Sequence, residues 1–252
     1  MATVLAIANQ KGGVGKTTTA INLGAALAAL ERRILLVDCD PQGNASRGLG
    51  LELAPPHLYQ VLTGGAPAAD AVRPTGLANL DVLPADRDLV GVEVEFVDLE
   101  GWQFRLGERL EEVVGRYDTV LLDCPPSLGH LTVSALTAAD GVLVPLQCEY
   151  FALEGVSELV KTVHRVRAST NPRLAIAGVL LTMYDERTNL SRDVALEIRR
   201  HFSDRVYDTV VPRNVRLAEA PSHGQPVILY DIKSRGAEAY LALAREFLRR
   251  AA

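Results

Sequence analysis

Residues 10–18 read QKGGVGKTT. They follow a short apolar run, Val4 to Ala8, that predicts a buried strand, and they open an Ala/Leu-rich segment, Thr18 to Leu30, that predicts a helix. A glycine-rich turn from strand to helix suits phosphate. The backbone N–H groups of Gly12, Gly13, Val14 and Gly15 can curl around an anion that also sits on the positive end of the helix dipole. Lys16 then offers a point charge to the β- and γ-phosphates, and the Thr17 hydroxyl can ligand a magnesium ion. These residues in this order predict a nucleoside triphosphate site. In the pattern G-x-x-x-x-G-K-[ST] the first glycine would fall at Gln10, and the residue after it is a second lysine, Lys11. A solvated loop lysine is the competing reading of Lys11.

Working outward, Arg33 to Asp38 (RILLVD) predicts a second buried strand, apolar as expected when helices cover both faces of a parallel sheet. It ends in DCDPQGNAS, which places Asp38 and Asp40 at the C-terminal edge of the sheet, where ligands of such folds gather. A strand-end aspartate that caps the next turn is the competing reading for both. Asp118 to Asp123 (DTVLLD) predicts a third strand closing on a carboxylate, the Walker B arrangement in which Asp123 holds magnesium directly or through water. Gly141 to Leu146 and a run within Arg173 to Thr182 predict two more, with a helix from Ala152 to about Thr170 between them. Strand and helix alternate along the chain, which predicts an α/β fold: a doubly wound, mostly parallel sheet with helices on both faces, in a single domain over residues 1–252.

Leu49 to Pro84 is richer in Pro, Gly and Ala and reads as a peripheral insertion on the sheet edge, with a strand-like NLDVLP at Asn79 to Pro84. From Asp86 to Tyr117 apolar residues at mixed helical spacing predict packing, with Trp102 a buried or subunit-facing anchor. Gly236 to Arg250 carries an apolar stripe and predicts a helix packed on the sheet. Met183 to Ala220 holds seven arginines, from Arg187 to Arg216, with four acidic residues between those two; by composition it is a solvated helix face.

With 252 residues, 48% of them hydrophobic, the chain can bury one sizeable core. A formal net charge of -5 means that any contact with nucleic acid needs a local basic patch. Cys39, Cys124 and Cys148 are odd in number and lack C-x-x-C spacing, so they read as reduced core thiols. No apolar stretch approaches the roughly 18 residues of a spanning helix, and the N-terminus lacks a secretory pattern. A soluble cytoplasmic protein is expected, without a membrane partner.

KGGVGKT resembles the deviant Walker A loop of the MinD/ParA group of P-loop ATPases. TMYDERTNL and VVPRNVRLAEAPSHGQP are similar to segments of the chromosome-partitioning ATPases, and the likeness runs from TVLAIANQKGG to SRGAEAYL. The resemblance implies ATP and magnesium as ligands, with catalytic roles for Lys16 in cis, Lys11 reaching the nucleotide of a second subunit, and Asp40 orienting the attacking water. It places Asp38 near the magnesium shell with Thr17 and Asp123, and makes DCPPS a switch that senses the γ-phosphate. Pro212 and Asn214 match the family's adenine-binding turn, although Asn214 is also a plausible helix cap; Thr18 and Met183 complete the expected nucleotide contacts. Arg187 and Arg216 match arginines on a dimer face that binds DNA without sequence preference. The implied function is an ATP-dependent homodimer that segregates DNA with a ParB-type partner, near the nucleoid.

Two other readings share the loop. A MinD-like membrane switch requires a terminal amphipathic helix with basic flanks, whereas this sequence ends RRAA after its packed helix. An iron–sulfur reductase of the nitrogenase iron-protein type requires two cluster cysteines per subunit, whereas Cys124 directly follows Asp123 and no second cysteine sits in a comparable loop.

Overall fold

The computed structural model describes residues 2–149 and 152–251. Among them eight strands form one sheet: β1 (Thr3–Ile7), β2 (Ile34–Asp38), β3 (Arg73–Pro74), β4 (Leu80–Leu83), β5 (Thr119–Asp123), β6 (Gly141–Gln147), β7 (Ala175–Tyr184) and β8 (Val206–Pro212). Their order across the sheet is β3-β4-β2-β5-β1-β6-β7-β8, and only the β3–β4 pair is antiparallel. The first helices are α1 (Lys16–Ala29), α2 (Asn44–Gly48), α3 (Leu58–Thr63), α4 (Ala68–Ala71), α5 (Gly91–Glu95) and α6 (Arg105–Val114). They are followed by α7 (His130–Ala138), α8 (Ala152–Ser169), α9 (Asn189–Phe202), α10 (Val215–Glu219), α11 (Val227–Tyr230) and α12 (Arg235–Ala251).

The alternation of side chains along each strand divides the core into two layers. Leu5, Ile7, Leu36 and Leu121 pack with α1, α11 and α12 on one face. Ala6, Val37, Leu122 and Val142 pack with α6, α7 and α8 on the other. All five residues of β2 and of β5 are buried, as a sheet covered on both sides demands. Tyr240 of α12 is 1% exposed and its hydroxyl meets that of Thr19 at 3.1 Å, so the last helix is tied by a polar contact to the first.

The strands expected from sequence form within two residues of their expected bounds. Two regions depart from expectation. The segment read as an edge insertion supplies two strands, and β4 lies inside the sheet between β2 and the short edge strand β3. Within the segment read as an arginine-rich helix face, VYDTVVP forms the opposite edge strand, β8. Its exposed Asp208 and its irregular register with β7 dilute the apolar alternation that marks a strand. The Glu246 carboxylate of α12 accepts from the backbone N–H groups of Asp208 and Thr209 at 2.8 and 2.9 Å, which replaces the hydrogen bonds a further strand would make.

Candidate nucleotide site and basic face

The glycine-rich turn closes β1 onto α1. Gly13 and Gly15 hold φ of 74° and 90°, left-handed conformations that a side chain would strain, so the turn needs glycine for its backbone shape. Two contacts from far along the chain brace it. Thr182, at the end of β7, donates its hydroxyl to the Val14 carbonyl at 2.8 Å, and the Asn9 amide donates to the Pro145 carbonyl of β6 at 2.8 Å while accepting from Lys11 N–H at 3.0 Å.

The two lysines of the loop sit in different surroundings. Lys16 is 7% exposed, and its Nζ donates to the Lys11 carbonyl at 3.2 Å. Burial lowers its pKa, opposed chiefly by the charge of Asp123. A cation short of counter-charge in a cradle of N–H groups is a receptor for anions. Lys11 is half-buried and forms an ion pair with Glu149 at 2.8 Å, beyond the end of β6.

Parallel register sets the acidic half of the site. Asp38 and Asp123 are direct partners across β2 and β5, and Ile7 at the end of β1 pairs with Asp123 on its other side. Both carboxylates are completely buried. Asp38 is held by the N–H and hydroxyl of Ser46 at 2.9 and 2.7 Å, yet burial pushes its pKa up to about 6. Neither oxygen of Asp123 has a hydrogen-bond partner among the described residues. Burial, and then the charge of Asp38, raise its pKa well above the usual carboxylate range, against the smaller opposing influence of Thr17 and Lys16. An orphaned buried carboxylate beside a threonine hydroxyl fits a hard cation. Magnesium, which retains waters and phosphate oxygens, suits a site with so few protein oxygens. Asp40, 8% exposed, closes a turn by accepting from Gln42 N–H at 2.9 Å. Cys39, Cys124 and Cys148 are free and buried, and burial raises each thiol pKa, that of Cys148 to about 11, so all three stay protonated.

A cavity of about 330 Å³ opens beside Gly15 and Thr18 and is lined by Met183, Pro212, Asn214 and Tyr240. The predicted loop and adenine-turn residues therefore meet at one hollow, although nearly the whole chain separates them. Met183 has φ 50°, a strained conformation for a non-glycine residue at the end of β7. Asn214 is the N-cap of α10, its side-chain oxygen accepting from Arg216 N–H at 2.9 Å. One lone pair and the NH2 group remain for a ligand.

Arg187 and Arg216 follow the C-terminal ends of the neighbouring strands β7 and β8 and so share the sheet edge of the glycine-rich turn. Arg187 is 84% exposed and grips Asp185 through Nε and Nη2 at 2.8 and 2.7 Å. Arg216 pairs with Glu219 at 2.8 Å and Asp231 at 3.3 Å. Both guanidinium groups are thus matched by carboxylates before any partner arrives. Arg187 also lines a cleft of about 620 Å³ with Arg213 and Arg235.

A family model described as an AAA domain matches residues 2–176. The chromosome partitioning protein ParA of Caulobacter vibrioides is 60% identical over 98% of this chain and 94% of its own length. The chain belongs to the ParA/Soj family of chromosome-partitioning ATPases. The sporulation initiation inhibitor protein Soj of Bacillus subtilis is 55% identical over 98% of both chains. Among solved structures, a cobyrinic acid a,c-diamide synthase from Mycobacterium smegmatis with bound ADP and magnesium reaches a TM-score of 0.88 at 41% identity, covering 100% of this chain and 96% of that one.

In this ParA/Soj chain several residues around the site escaped the sequence reading. Glu149, Thr182, Asn9 and Ser46 all anchor candidate residues through contacts described above. Asn9 stands just past the end of β1 beside the glycine-rich turn, and Ser46 lies in α2 within the DCDPQGNAS stretch, so both were legible as polar residues next to the motifs. Glu149 and Thr182 carry no local signal.

Proposed function

We propose that this chain is an ATP-dependent dimerisation switch that binds DNA without sequence preference, drives chromosome or plasmid segregation with a ParB-type centromere-binding partner, and is reset by ATP hydrolysis. The observation that carries this reading is the second lysine. Lys11 lies at the mouth of the loop but points away to Glu149, while Lys16 already occupies the position over the cradle. One nucleotide needs one such lysine in cis, so Lys11 is available for the triphosphate of another subunit.

In this reading the N–H groups of Gly12, Gly13, Val14 and Gly15 and the ammonium of Lys16 bind the phosphates, and Thr18, Met183, Pro212 and Asn214 seat the adenine. Thr17, Asp123 and Asp38 would hold magnesium, which when bound would supply charge neutralisation to the phosphates and a counter-charge to the buried carboxylates. Asp40 orients the attacking water. Lys11 of the second subunit stabilises the charge that develops as the γ-phosphate leaves, so turnover requires the dimer and is slow until a partner improves the geometry. Dimerisation doubles the number of arginines on one face, which raises affinity for DNA by adding phosphate contacts. The reading implies a cytoplasmic, nucleoid-associated protein; no helix among the described residues is long and apolar enough to cross a membrane.

The decisive experiment is sedimentation of Asp40→Ala protein, in which hydrolysis is blocked, with saturating ATP and magnesium. A dimer is expected, and a monomer that returns with ADP or with Lys11→Ala. An Asp40→Ala protein that remains monomeric with ATP overturns the reading.

A further inference from the structure

Residues 38–46, DCDPQGNAS, leave the end of β2 and return through α2 to the carboxylate at which they began. Ser46 closes that loop. It is completely buried, and its backbone N–H and its hydroxyl both donate to Asp38 Oδ2, at 2.9 and 2.7 Å. Near the start of the loop the Asp40 N–H donates to Asp38 Oδ1 at 3.2 Å. One carboxylate therefore holds both ends of the stretch that presents Asp40.

A third partner fixes the direction of the serine hydroxyl. The Ala85 N–H, just past β4, donates to Ser46 Oγ at 3.2 Å, which occupies a lone pair and leaves the hydroxyl proton for Asp38. With two donors on Oδ2 and one on Oδ1, the free lone pair of Asp38 lies on Oδ1, the oxygen that also receives the Asp40 amide. Without the hydroxyl each oxygen would hold one N–H, and nothing would distinguish them.

The support behind Ser46 is rigid. A Cβ on Gly48 would lie 2.7 Å from Ile21 Cδ1, so α2 lies directly on α1, and Ala45 is fully buried between its neighbours. A Cβ on Gly43 would lie 2.6 Å from the Ala85 carbonyl oxygen, so the loop is pressed against the same residue whose N–H orients the serine. Asp40 is tied within this turn: its Oδ1 accepts from Gln42 N–H at 2.9 Å and its carbonyl from Gly43 N–H at 2.8 Å. The contacts run from Ala85 through Ser46 and Asp38 to Asp40, and all four residues are buried. In such surroundings a missing hydroxyl is not replaced by water.

We infer that Ser46 is a positioning residue for hydrolysis: its hydroxyl sets the Asp38 carboxylate and, through the Asp40 amide, the angle from which Asp40 meets the attacking water. Ser46 does not line the cavity beside Asn214, and its donors go to Asp38 and not to the glycine-rich turn, so its loss should slow the chemical step without loosening the nucleotide. This deepens the function proposed above and rests on that reading for the role of Asp40. The ordering of the loop by Ser46 requires neither ATP nor a dimer.

The test compares full-length Ser46→Thr with Ser46→Val, two side chains of one shape with and without the hydroxyl, and Ser46→Ala with the parent, which adds no bulk. At saturating ATP and magnesium, kcat of Ser46→Val is expected to fall at least about tenfold below that of Ser46→Thr, while calorimetry finds ATP binding by the two within about threefold. In nucleotide-free protein, hydrogen exchange at the Asp40 amide should be about tenfold faster in Ser46→Val than in Ser46→Thr, with the amides of β1 unchanged. Ser46→Ala should differ from the parent in the same ways. Equal kcat within either pair overturns the proposal, as does equal exchange at the Asp40 amide. A loss of ATP affinity as large as the loss of rate also overturns it, because Ser46 would then serve binding. A monomeric Asp40→Ala protein in ATP would sink the dimer reading yet leave the exchange difference in place, which separates the two ideas.

Discussion

At the end of β5 and the start of α1 the charged groups Asp123 and Lys16 are buried and short of partners, whereas beyond the ends of β7 and β8 they are exposed and already paired. Asp123 has no hydrogen bond for either oxygen and Lys16 has only a backbone carbonyl, while Arg187 and Arg216 each hold at least one carboxylate within 2.8 Å. The first region carries an electrostatic deficit that a ligand can remove, and low local dielectric makes that removal strongly favourable. The second offers a ligand only an exchange of one anion for another in water, worth little per contact. The proposed switch would need both: a deep site that responds strongly to one small molecule, and a broad surface that holds and releases a polymer.

The largest effect that could break this comparison is at Lys16. Lys16→Ala should weaken ATP binding by at least about a hundredfold in calorimetry, since it removes the buried cation; retention within threefold would mean that the deficit is not what binds nucleotide. Next, Lys11→Ala should bind ATP within about threefold of the parent yet form no dimer, and Glu149→Gln, which frees Lys11 from its ion pair, should dimerise at lower ATP concentration. Sedimentation velocity separates these outcomes, and identical behaviour of the two variants would remove the distinction between the lysines.

A third effect is on stability. The folded Asp38 carboxyl keeps its proton to about pH 6, above its ordinary value of 3.8, so the stability associated with the protonated form is complete below about pH 4 and is lost as pH rises through 6. Nucleotide-free protein should therefore lose several degrees of Tm between pH 5 and 7 beyond any loss in Asp38→Asn, and magnesium with nucleotide should erase the difference. Parallel pH profiles for the two proteins would show that the buried acids are compensated after all.

The smallest effects belong to the exposed face. Arg187→Ala and Arg216→Ala should each weaken DNA binding about three- to tenfold in mobility shifts and reduce the salt dependence by about one phosphate contact. Asp185→Asn should raise DNA affinity a few-fold, because Arg187 would no longer need to leave a carboxylate. A single substitution that abolishes DNA binding would show that this face is not a sum of weak contacts.

The two regions also differ in how far they could be read from residues alone. QKGGVGKTT, RILLVD and DTVLLD are contiguous, and each residue's role is set by neighbours in the chain: glycines for the turn, apolar runs for buried strands, an aspartate at each strand end. β8 was hidden because an edge strand needs only one buried face and this one alternates poorly. The pairing of each arginine with its acid could not be told from composition, which shows the same charges whether they meet or not.

What the sequence determined by itself was the anion cradle, the alternation of strand and helix, and the identity of the groups brought to the sheet edge, because backbone conformation and side-chain period are local properties. Only the tertiary structure decided which of those groups lacks a partner, where the cavity beside Gly15 and Asn214 opens, and that Lys11 rests on Glu149 while Thr182 holds Val14. Those pairs lie 138 and 168 residues apart in the chain, and only the order of strands in the sheet brings them within hydrogen-bonding distance.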